Sequence, residues 1–281
     1  LIAHFKGADE RFHDVIGMYV LNKDCKTSVL VLDFDGKGWT DAVKAIRAES
    51  IQCSMPACIE RSRSGNGAHV WFFFDAPVDA SLARELGNYL ISRAMMKSDS
   101  IGFDAYDRMF PAQSTIPEGG FGNLITLPFQ GASQRKDNSV FVDSSFEAIP
   151  DQWFFLSRVE RISEERVRAL LKDSSSGIES DAFDSLLKEN CVDEERILSS
   201  SWKTRVSIAL SSGDFSKNLT VTEADMIYIL EDGMSPAARN CVKRLAAFSN
   251  PEFYRAQAMH QSVYGKPRIA YFGETRGGCI A

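Results

Sequence analysis

The chain has 281 residues, of which 44% are hydrophobic and 25% are charged, and this composition excludes a disordered or collagen-like protein. The length exceeds the roughly 100–200 residues of an ordinary domain, so one large domain or a core with an appended region is expected. The formal net charge of −6 excludes a protein that coats nucleic acid through bulk positive charge, although it leaves room for a local basic track.

The first clear element is a run of β-branched and aliphatic residues over 28–34, which predicts a strand buried on both faces. Asp33 and Asp35 stand at the tip of this strand. Residues 40–50 follow with apolar side chains at helical spacing and Thr40 as the N-cap, so a helix is predicted there. This segment therefore predicts a strand–loop–helix unit with two carboxylates at the end of the strand.

Two further strands are predicted over 57–61 and 68–74. The stretch 62–67 between them is rich in glycine and serine, which is typical of a hairpin loop. Residues 80–96 carry leucine and methionine at helical spacing, which indicates an amphipathic helix.

Short strands are predicted over 124–129 and 140–142, and the loop between them carries Arg135 and Lys136. Residues 160–171 show a helical rhythm of acidic, basic and apolar side chains. The serine-rich stretch that follows is typical of a flexible break.

The second half of the chain predicts mainly helices. They span 222–231 and 237–248, and a third begins at Pro251 and runs to about residue 263. We therefore expect an α+β fold, with a core over residues 1–157 and a mainly helical region over residues 158–281.

The six cysteines are scattered, and none forms a pair at the two-residue spacing of a zinc knuckle. We interpret them as reduced thiols of a cytoplasmic protein and predict no structural zinc; half of a metal site at Cys53 and Cys58 is the alternative. No apolar run approaches the roughly 18 residues of a membrane span. Leu1 at the start and the interrupted strand-like pattern after Arg268 indicate that both ends are cut from a longer chain.

Asp33 and Asp35 offer hard oxygen ligands of the kind that suits Mg²⁺ or Mn²⁺. Two such ions can activate an attacking hydroxyl and stabilise a departing pyrophosphate, so the pair is a candidate two-metal site for phosphoryl transfer. One alternative is a solvated Asp-x-Asp-Gly turn. Another is the nucleophile motif of haloacid-dehalogenase-type phosphatases, which this segment resembles, although Lys37 stands where that family carries Thr or Ser.

The hairpin loop carries groups that suit a triphosphate. Glycines let backbone N–H groups approach phosphate oxygens, serine hydroxyls and an imidazole add donors, and arginines supply positive charge. The candidate nucleotide-binding residues of this stretch are Arg61, Arg63, Ser64, Gly65, Asn66 and His69. The alternative is a glycine-rich hairpin loop without a ligand, with the histidine hydrogen-bonded inside the protein.

The order of these motifs resembles the archaeo-eukaryotic primase superfamily. Its first two motifs are Asp-x-Asp and Ser/Gly-x-His, and this chain has Asp-Phe-Asp at 33–35 and Ser-Gly-Asn-Gly-Ala-His at 64–69. The second motif is also similar to that of the polymerase domains of bacterial end-joining ligases. Two later blocks, at 106–113 and 119–130, resemble those of helicase-fused primase-polymerases of TOTE conflict systems and of CRISPR-associated primase-polymerases.

The resemblance implies an α+β catalytic core over residues 1–157. This core would have a mixed β-sheet, in a layer like an RNA-recognition motif, and a small α/β layer beside it. The resemblance also implies a third acid that completes the metal site. We prefer Asp107, which stands beside the Phe-Pro block, and Asp104 is the alternative third acid. Asp107 could also form a surface ion pair with Arg108, and it would then not be a metal ligand.

Other residues become candidates for nucleotide binding only through the resemblance. Relatives carry basic residues after the Leu-Pro block, which points to Arg135 and Lys136 as contacts of the triphosphate or the template backbone. Asn123 is a further candidate, with strand capping as its alternative, and Gln113 and Gln130 are similarly open.

The function implied by the resemblance is a template-dependent primase-polymerase that makes and extends primers on single-stranded DNA from nucleoside triphosphates. Two divalent ions, Mg²⁺ or Mn²⁺, would be held by Asp33, Asp35 and Asp107. The block at 248–257 resembles a connector to a helicase, so a fused helicase domain, CRISPR proteins or other defence proteins are expected partners. The alternative from another class is a catalytically silent nucleic-acid-binding module of the same fold.

Overall fold

The computed structural model of the chain describes residues 1–9, 13–98, 106–116, 122–174, 210–224, 226–245, 247–249, 268–270, 273, 275 and 278–280. The chain divides into two compact units. The first contains residues 1–91 and 104–173, and the second contains residues 92–103 and 174–281.

A five-stranded sheet forms the centre of the first unit. Its strands are β2 (Lys26–Asp35), β3 (Cys58–Arg61), β4 (Gly67–Asp79), β5 (Tyr106–Phe110) and β7 (Val140–Val142). The strand order is β5-β2-β4-β3-β7, and every ladder described in this sheet is antiparallel.

The middle of β2 is buried on both faces, which explains its uninterrupted apolar sequence. Side chains alternate along a strand, so Leu30 and Leu32 lie on one face while Val29 and Val31 lie on the other. All four are buried. The polar residues that matter for the site come only where this apolar run ends.

Two helices follow strands of the sheet and pack against it. They are α2 (Trp39–Gln52), which contacts β2 and β4, and α3 (Ala80–Lys97). Helix α3 covers the face that carries Leu30 and Leu32, because a Cβ built on Gly87 would lie 3.2 and 3.3 Å from their side chains. The glycine therefore allows the helix to approach the sheet closely.

A small layer covers the opposite face of the sheet. In it β1 (Gly17–Tyr19) pairs with β6 (Leu124–Thr126), and the short helix α1 (Ile2–Lys6) contacts α4 (Gly131–Gln134). One core joins the layer to the sheet, and its buried members include Val20, Leu21, Val29, Val31, Trp71, Phe110, Ile125, Phe129 and Phe141.

Two more helices complete the first unit, α5 (Gln152–Ser157) and α6 (Glu164–Ser174). The Gln152 amide binds the edge of the sheet: its Oε1 accepts from the Phe141 N–H and its Nε2 donates to the Phe141 carbonyl, both at 2.8 Å. This side chain therefore satisfies backbone groups at the edge of β7, beside the N–H of Ile149, which donates to the same Phe141 carbonyl.

The prediction of an α+β fold with a main sheet and a small α/β layer is confirmed. The mixed strand directions that we expected are not found in the described ladders of the central sheet; a single parallel pairing, the isolated bridge between Phe74 and Ile162, lies outside them. The predicted strand over 124–129 ends at Thr126, and the loop after it contains α4, which the sequence pattern did not predict.

The second unit contains strands as well as helices. Among its described residues the elements are β8 (Val221–Glu223), β9 (Ile227–Leu230), α7 (Pro236–Leu245), β10 (Ala247–Ser249), β11 (Arg268–Ala270), β12 (Cys279–Ile280) and a 3₁₀ turn at Ser212–Asp214. The order β12-β9-β8 forms an antiparallel sheet, and β10 pairs with β11.

The predicted helix over 222–231 is wrong, because this segment forms β8 and β9. The sequence Ile-Tyr-Ile at 227–229 is rich in the β-branched and aromatic residues that strands favour, and pairing with β8 outweighs the capping pattern at Thr222. The helix predicted over 237–248 is confirmed up to Leu245, and the one predicted from Pro251 lies outside the described residues.

The described part of residues 158–281 therefore mixes helices and strands. Within the described ranges, no helix combines the length and the apolar character needed to cross a membrane.

Candidate active site

Asp33 and Asp35 lie on the same face of β2, because they are two residues apart in one continuous strand. Asp33 is only 7% exposed, whereas Asp35 at the end of the strand is exposed. Asp35 pairs with Gly67 of β4, and a Cβ on Gly67 would lie 2.2 Å from Asp35 Oδ1. The missing side chain at position 67 therefore leaves the space that the second carboxylate occupies.

A row of four charged or titratable residues crosses the sheet at the level of Asp33. The strand register places Arg108 of β5, Asp33 of β2, His69 of β4 and Glu60 of β3 directly opposite one another in that order. Directly opposite residues on neighbouring strands have side chains close enough to interact. The register of the sheet thus brings together four residues that are far apart in sequence.

Contacts along this row alternate in charge. His69 Nε2 lies 3.5 Å from Asp33 Oδ1, and Arg108 Nε lies 3.6 Å from Asp33 Oδ2. On the other side of the ring, His69 Nδ1 lies 2.9 Å from Glu60 Oε2. Glu60 is 1% exposed, and Trp71 Nε1 donates to the same Oε2 at 2.8 Å.

The pKa of His69 is raised from 6.5 to about 9. Burial alone would lower this pKa, but the hydrogen bond to Glu60 and the negative charges of Glu60, Asp33 and Asp35 outweigh it. The ring is therefore an imidazolium at neutral pH, and both of its nitrogens carry donor hydrogens.

Sequence reasoning did not select Glu60, although a signal for it was present. A hairpin closed by residues 62–67 pairs Glu60 with His69 by simple counting, and a carboxylate inside a predicted strand is uncommon. The residue was overlooked because neither motif of the resemblance includes it.

The backbone of Asp107 lies in β5 beside Asp33. Asp33 pairs with Arg108 and Phe34 pairs with Tyr106, so Asp107 is the extra residue of a bulge in this ladder. The alternative third acid, Asp104, lies outside the described residues. Arg108, for its part, contacts the carboxylate of Asp33 across the strands.

The glycine-rich loop is a compact turn that leads into β4. The Ser62 N–H donates to the Gly67 carbonyl at 2.9 Å, and the Gly65 N–H donates to the Ser62 carbonyl at 3.0 Å. Gly65 has a φ of +80°, a left-handed conformation that glycine adopts without strain. Ser64 Oγ accepts from the Asn66 N–H at 3.2 Å, so the loop is braced from within.

The candidate residues at the tip of this loop, Arg63, Ser64 and Asn66, are exposed. Arg61 lies differently, because its guanidinium donates to the carbonyls of Asp137 and Phe146. The loop tip and His69 thus lie in one hairpin, whereas the guanidinium of Arg61 is bound to backbone carbonyls on either side of β7.

Arg135 braces the small layer. Its Nη1 and Nη2 donate to the carbonyls of Lys6 and Gly7, at 3.0 and 2.7 Å, where α1 ends. Its neighbour Lys136 is exposed. Arg135 is exposed as well, but a guanidinium that donates to the last carbonyls of a helix has a structural role.

The remaining polar candidates, Gln130, Asn123 and Gln113, differ in burial and in hydrogen bonding. Gln130 is fully buried; its Oε1 accepts from the Ser133 N–H at 2.9 Å and its Nε2 donates to Asp14 at 3.2 Å, so it caps α4. Asn123 is half-buried, and its Oδ1 has no hydrogen-bond partner among the described residues. Gln113 lies near Gly122, the residue before Asn123.

The two carboxylates fit a divalent cation as a donor set, because both supply hard oxygens from one face of one strand. Among the residues that the structure describes, no group of three or more His, Cys, Asp or Glu side chains is arranged around a common metal position. A complete site would require a further ligand, and the backbone position of Asp107 beside Asp33 makes it the candidate.

Five cysteines lie within the described residues, and none of these five forms a disulfide. They are Cys25, Cys53, Cys58, Cys241 and Cys279. Burial raises the pKa of Cys58 to about 12, so this thiol stays protonated at neutral pH. Cys191 lies outside the described residues.

A known family matches the first part of the chain. Residues 1–170, more than half of the chain, match the family model described as the archaeo-eukaryotic primase domain of the TOTE conflict system. A comparison with curated proteins found no match. The match covers the central sheet, the small layer and every residue of the charged row, and the chain therefore belongs to the archaeo-eukaryotic primase domain family of TOTE conflict systems.

Proposed function

We propose that this chain is a template-dependent primase-polymerase that makes and extends primers on single-stranded DNA. The observation that carries the proposal is the meeting of Asp33, Asp35 and His69 at one end of the central sheet. Family membership supports nucleotidyl transfer as the reaction class. It disfavours the phosphatase alternative, in which the first aspartate would act as a nucleophile.

Asp33 and Asp35 would hold Mg²⁺ or Mn²⁺, with Asp107 as the third ligand. When bound, two such ions lower the pKa of the attacking 3′ hydroxyl and stabilise the charge of the leaving pyrophosphate. The carboxylates have a fixed spacing because both belong to one paired strand. Gly67 keeps the space beside Asp35 open, which supports the role of the second carboxylate as a ligand.

His69 and the loop before it would bind the phosphates of the incoming nucleotide. An imidazolium offers an N–H donor and a positive charge to a phosphate oxygen. Ser64 and Asn66 lie on the same hairpin and would offer hydroxyl and amide donors, and Arg63 adds charge at the exposed tip. Gly65 would contribute by letting a phosphate approach the turn closely, since its N–H already donates to the Ser62 carbonyl. Lys136 and Asn123 remain proposed contacts from neighbouring loops, and Arg61 and Arg135 would act mainly through the loops that they brace.

The proposed template is single-stranded DNA, and the proposed substrates are nucleoside triphosphates. The conflict-system family supports a defence context, in which a helicase or other defence proteins would act with this domain. Such partners would supply unwound template, which a primase needs before it can pair the first nucleotides.

The test is a primer-synthesis assay on single-stranded DNA with Mg²⁺ or Mn²⁺, run with ribonucleotides and with deoxyribonucleotides. The double variant Asp33→Asn with Asp35→Asn should reduce synthesis at least about a thousandfold, because it removes both charged ligands while it keeps the side-chain shape. The matched control is Asp41→Asn, an exposed carboxylate of α2, which should retain wild-type activity.

Two results would count against the proposal. Synthesis by the double variant at the wild-type rate would reject the metal assignment. A wild-type protein that binds single-stranded DNA but makes no product with either metal or either nucleotide class would support the silent binding module instead.

A further inference from the structure

Glu60 is a buried carboxylate that contacts His69 of the candidate site but is not itself exposed to a ligand. Its Oε2 lies 2.9 Å from His69 Nδ1 and 2.8 Å from Trp71 Nε1. The three residues lie on the adjacent strands β3 and β4, where Glu60 pairs directly with His69. The indole N–H of Trp71 can only donate, and the protonated Nδ1 of His69 donates to the same oxygen.

This arrangement fixes the imidazole of His69. With Nδ1 donating to Glu60, the opposite nitrogen, Nε2, is directed toward Asp33 at 3.5 Å. A flip of the ring would remove the 2.9 Å bond and leave a carboxylate that is 2% exposed with one donor fewer. Trp71 in turn keeps Glu60 in place, because its indole N–H has a fixed direction in the core.

The exposures along the row indicate which residue a ligand would touch. The side chain of His69 is 14% exposed and that of Asp33 is 10% exposed, whereas that of Glu60 is only 2% exposed. A phosphate that enters beside Asp33 and Asp35 therefore meets the edge of the ring, and Glu60 lies behind it.

We propose that Glu60 is a positioning residue that orients His69 toward the phosphates of a nucleoside triphosphate. This inference rests on the proposed function of the site, since it assumes that His69 contacts the nucleotide. Glu60 acts only through the ring: it holds Nδ1 and so presents Nε2 at the end of β2. The same logic holds wherever a histidine acts through one nitrogen and is oriented through the other.

The decisive experiment measures binding rather than synthesis. The dissociation constants of ATP and dATP are determined by calorimetry with Mn²⁺ and without template, for wild type, Glu60→Ala, His69→Ala and the double variant. Each single variant should weaken binding about tenfold, the loss expected for a hydrogen bond to a charged group. The double variant should be no weaker than His69→Ala, because Glu60 has no route to the ligand except the ring.

Two further variants separate positioning from loss of stability. Glu60→Gln keeps an acceptor oxygen for both donors, so its dissociation constants should lie within about threefold of wild type. Phe72→Leu, a core change on the opposite face of β4, reproduces a general loss of stability and should leave nucleotide binding unchanged. Binding by Glu60→Gln as weak as by Glu60→Ala would overturn the proposal.

NMR of the His69 ring without nucleotide tests the positioning role separately from primer synthesis. The chain has four histidines, so selective ¹⁵N labelling gives a simple spectrum in which His69→Ala identifies the His69 signals. We expect a slowly exchanging Nδ1–H in wild type and Glu60→Gln, and its loss in Glu60→Ala. An Nδ1–H that is unchanged in Glu60→Ala, or additive losses of binding in the double variant, would reject the positioning role even if the protein makes primers. Normal ring positioning in a protein that makes no primers would instead reject the proposed function.

Discussion

Two corners of the first unit carry residues that the sequence favours for nucleotide binding, and they are built in different ways. In the charged row (Arg108, Asp33, His69, Glu60), side chains of four paired strands contact one another across the sheet. In the α1–α4 brace (His4, Gln130, Arg135), polar side chains are bound to backbone carbonyls and helix ends.

The comparison shows that histidine has a different role in each region. His4 and His69 are both poorly exposed, yet His4 donates to the Pro128 carbonyl at 3.0 Å and accepts from the Ile16 N–H at 3.1 Å. Its two nitrogens are therefore satisfied by the backbone. His69 faces carboxylates on both sides, which leaves it charged at the end of a strand where ligands can approach.

Among variants that keep both carboxylates, the largest expected effect comes from a methyl group at the strand end. In Gly67→Ala the new Cβ would lie 2.2 Å from Asp35 Oδ1 and 2.4 Å from the Phe34 carbonyl, so the carboxylate or the strand must shift. A shift of about 1 Å at a reacting centre costs about a hundredfold in rate, and we expect at least that loss in primer synthesis. Gly213→Ala in the second unit is the control, because its new Cβ would meet Ser211 Oγ at an ordinary contact distance of 3.5 Å. Full activity of Gly67→Ala would mean that Asp35 is not needed at this position.

A smaller effect is expected in the dependence of stability on pH. The folded-state pKa of His69, about 9, lies above its ordinary value of 6.5, so the charged ring stabilises the fold fully below pH 6.5. This contribution is lost as the pH rises through 9, and we expect a decrease in the free energy of unfolding on the order of 2 kcal/mol.

Urea unfolding between pH 6 and 10 in metal-free buffer measures this decrease, with His69→Gln as the variant that lacks it. His13→Gln removes a histidine that is 71% exposed and should keep the wild-type slope. Equal slopes for wild type and His69→Gln would show that the row does not hold the ring as an imidazolium.

The smallest expected effect is that of Arg135→Ala, which distinguishes a residue of the α1–α4 brace from a residue of the nucleotide site. Arg135→Ala removes two hydrogen bonds to the end of α1, so the free energy of unfolding should fall by about 1–2 kcal/mol while the KM for nucleotide changes less than about twofold. Lys136→Ala is the neighbouring control, which should leave stability unchanged. Should Arg135→Ala instead raise the KM at unchanged stability, the arginine belongs to the nucleotide site as the resemblance implies.

Much of the first unit could be predicted from local patterns. The apolar run of β2, the hairpin around residues 62–67 and the spacing of α3 each reflect burial of one repeating face, which a short window of sequence reveals. The helix α4 and the strands β8 and β9 were missed for the opposite reason. They are short, and each also contacts a segment that is distant in sequence: α4 contacts α1, and β9 pairs with β12.

The sequence alone determined the identity of the candidate groups, because the chemistry of Asp33, Asp35 and the glycine-rich loop with His69 is local and their spacing resembles a known family. The tertiary structure decided which groups meet. The antiparallel register placed Glu60 beside His69 and the backbone of Asp107 beside Asp33. The contact of α1 with α4 directed the guanidinium of Arg135 to carbonyls at the end of α1. The register of β2 with β4 and β5 depends on hydrogen bonding between strands that are distant in sequence, and no local pattern contains it. The hairpin pairing of Glu60 with His69 is the exception, because it follows from the position of the loop.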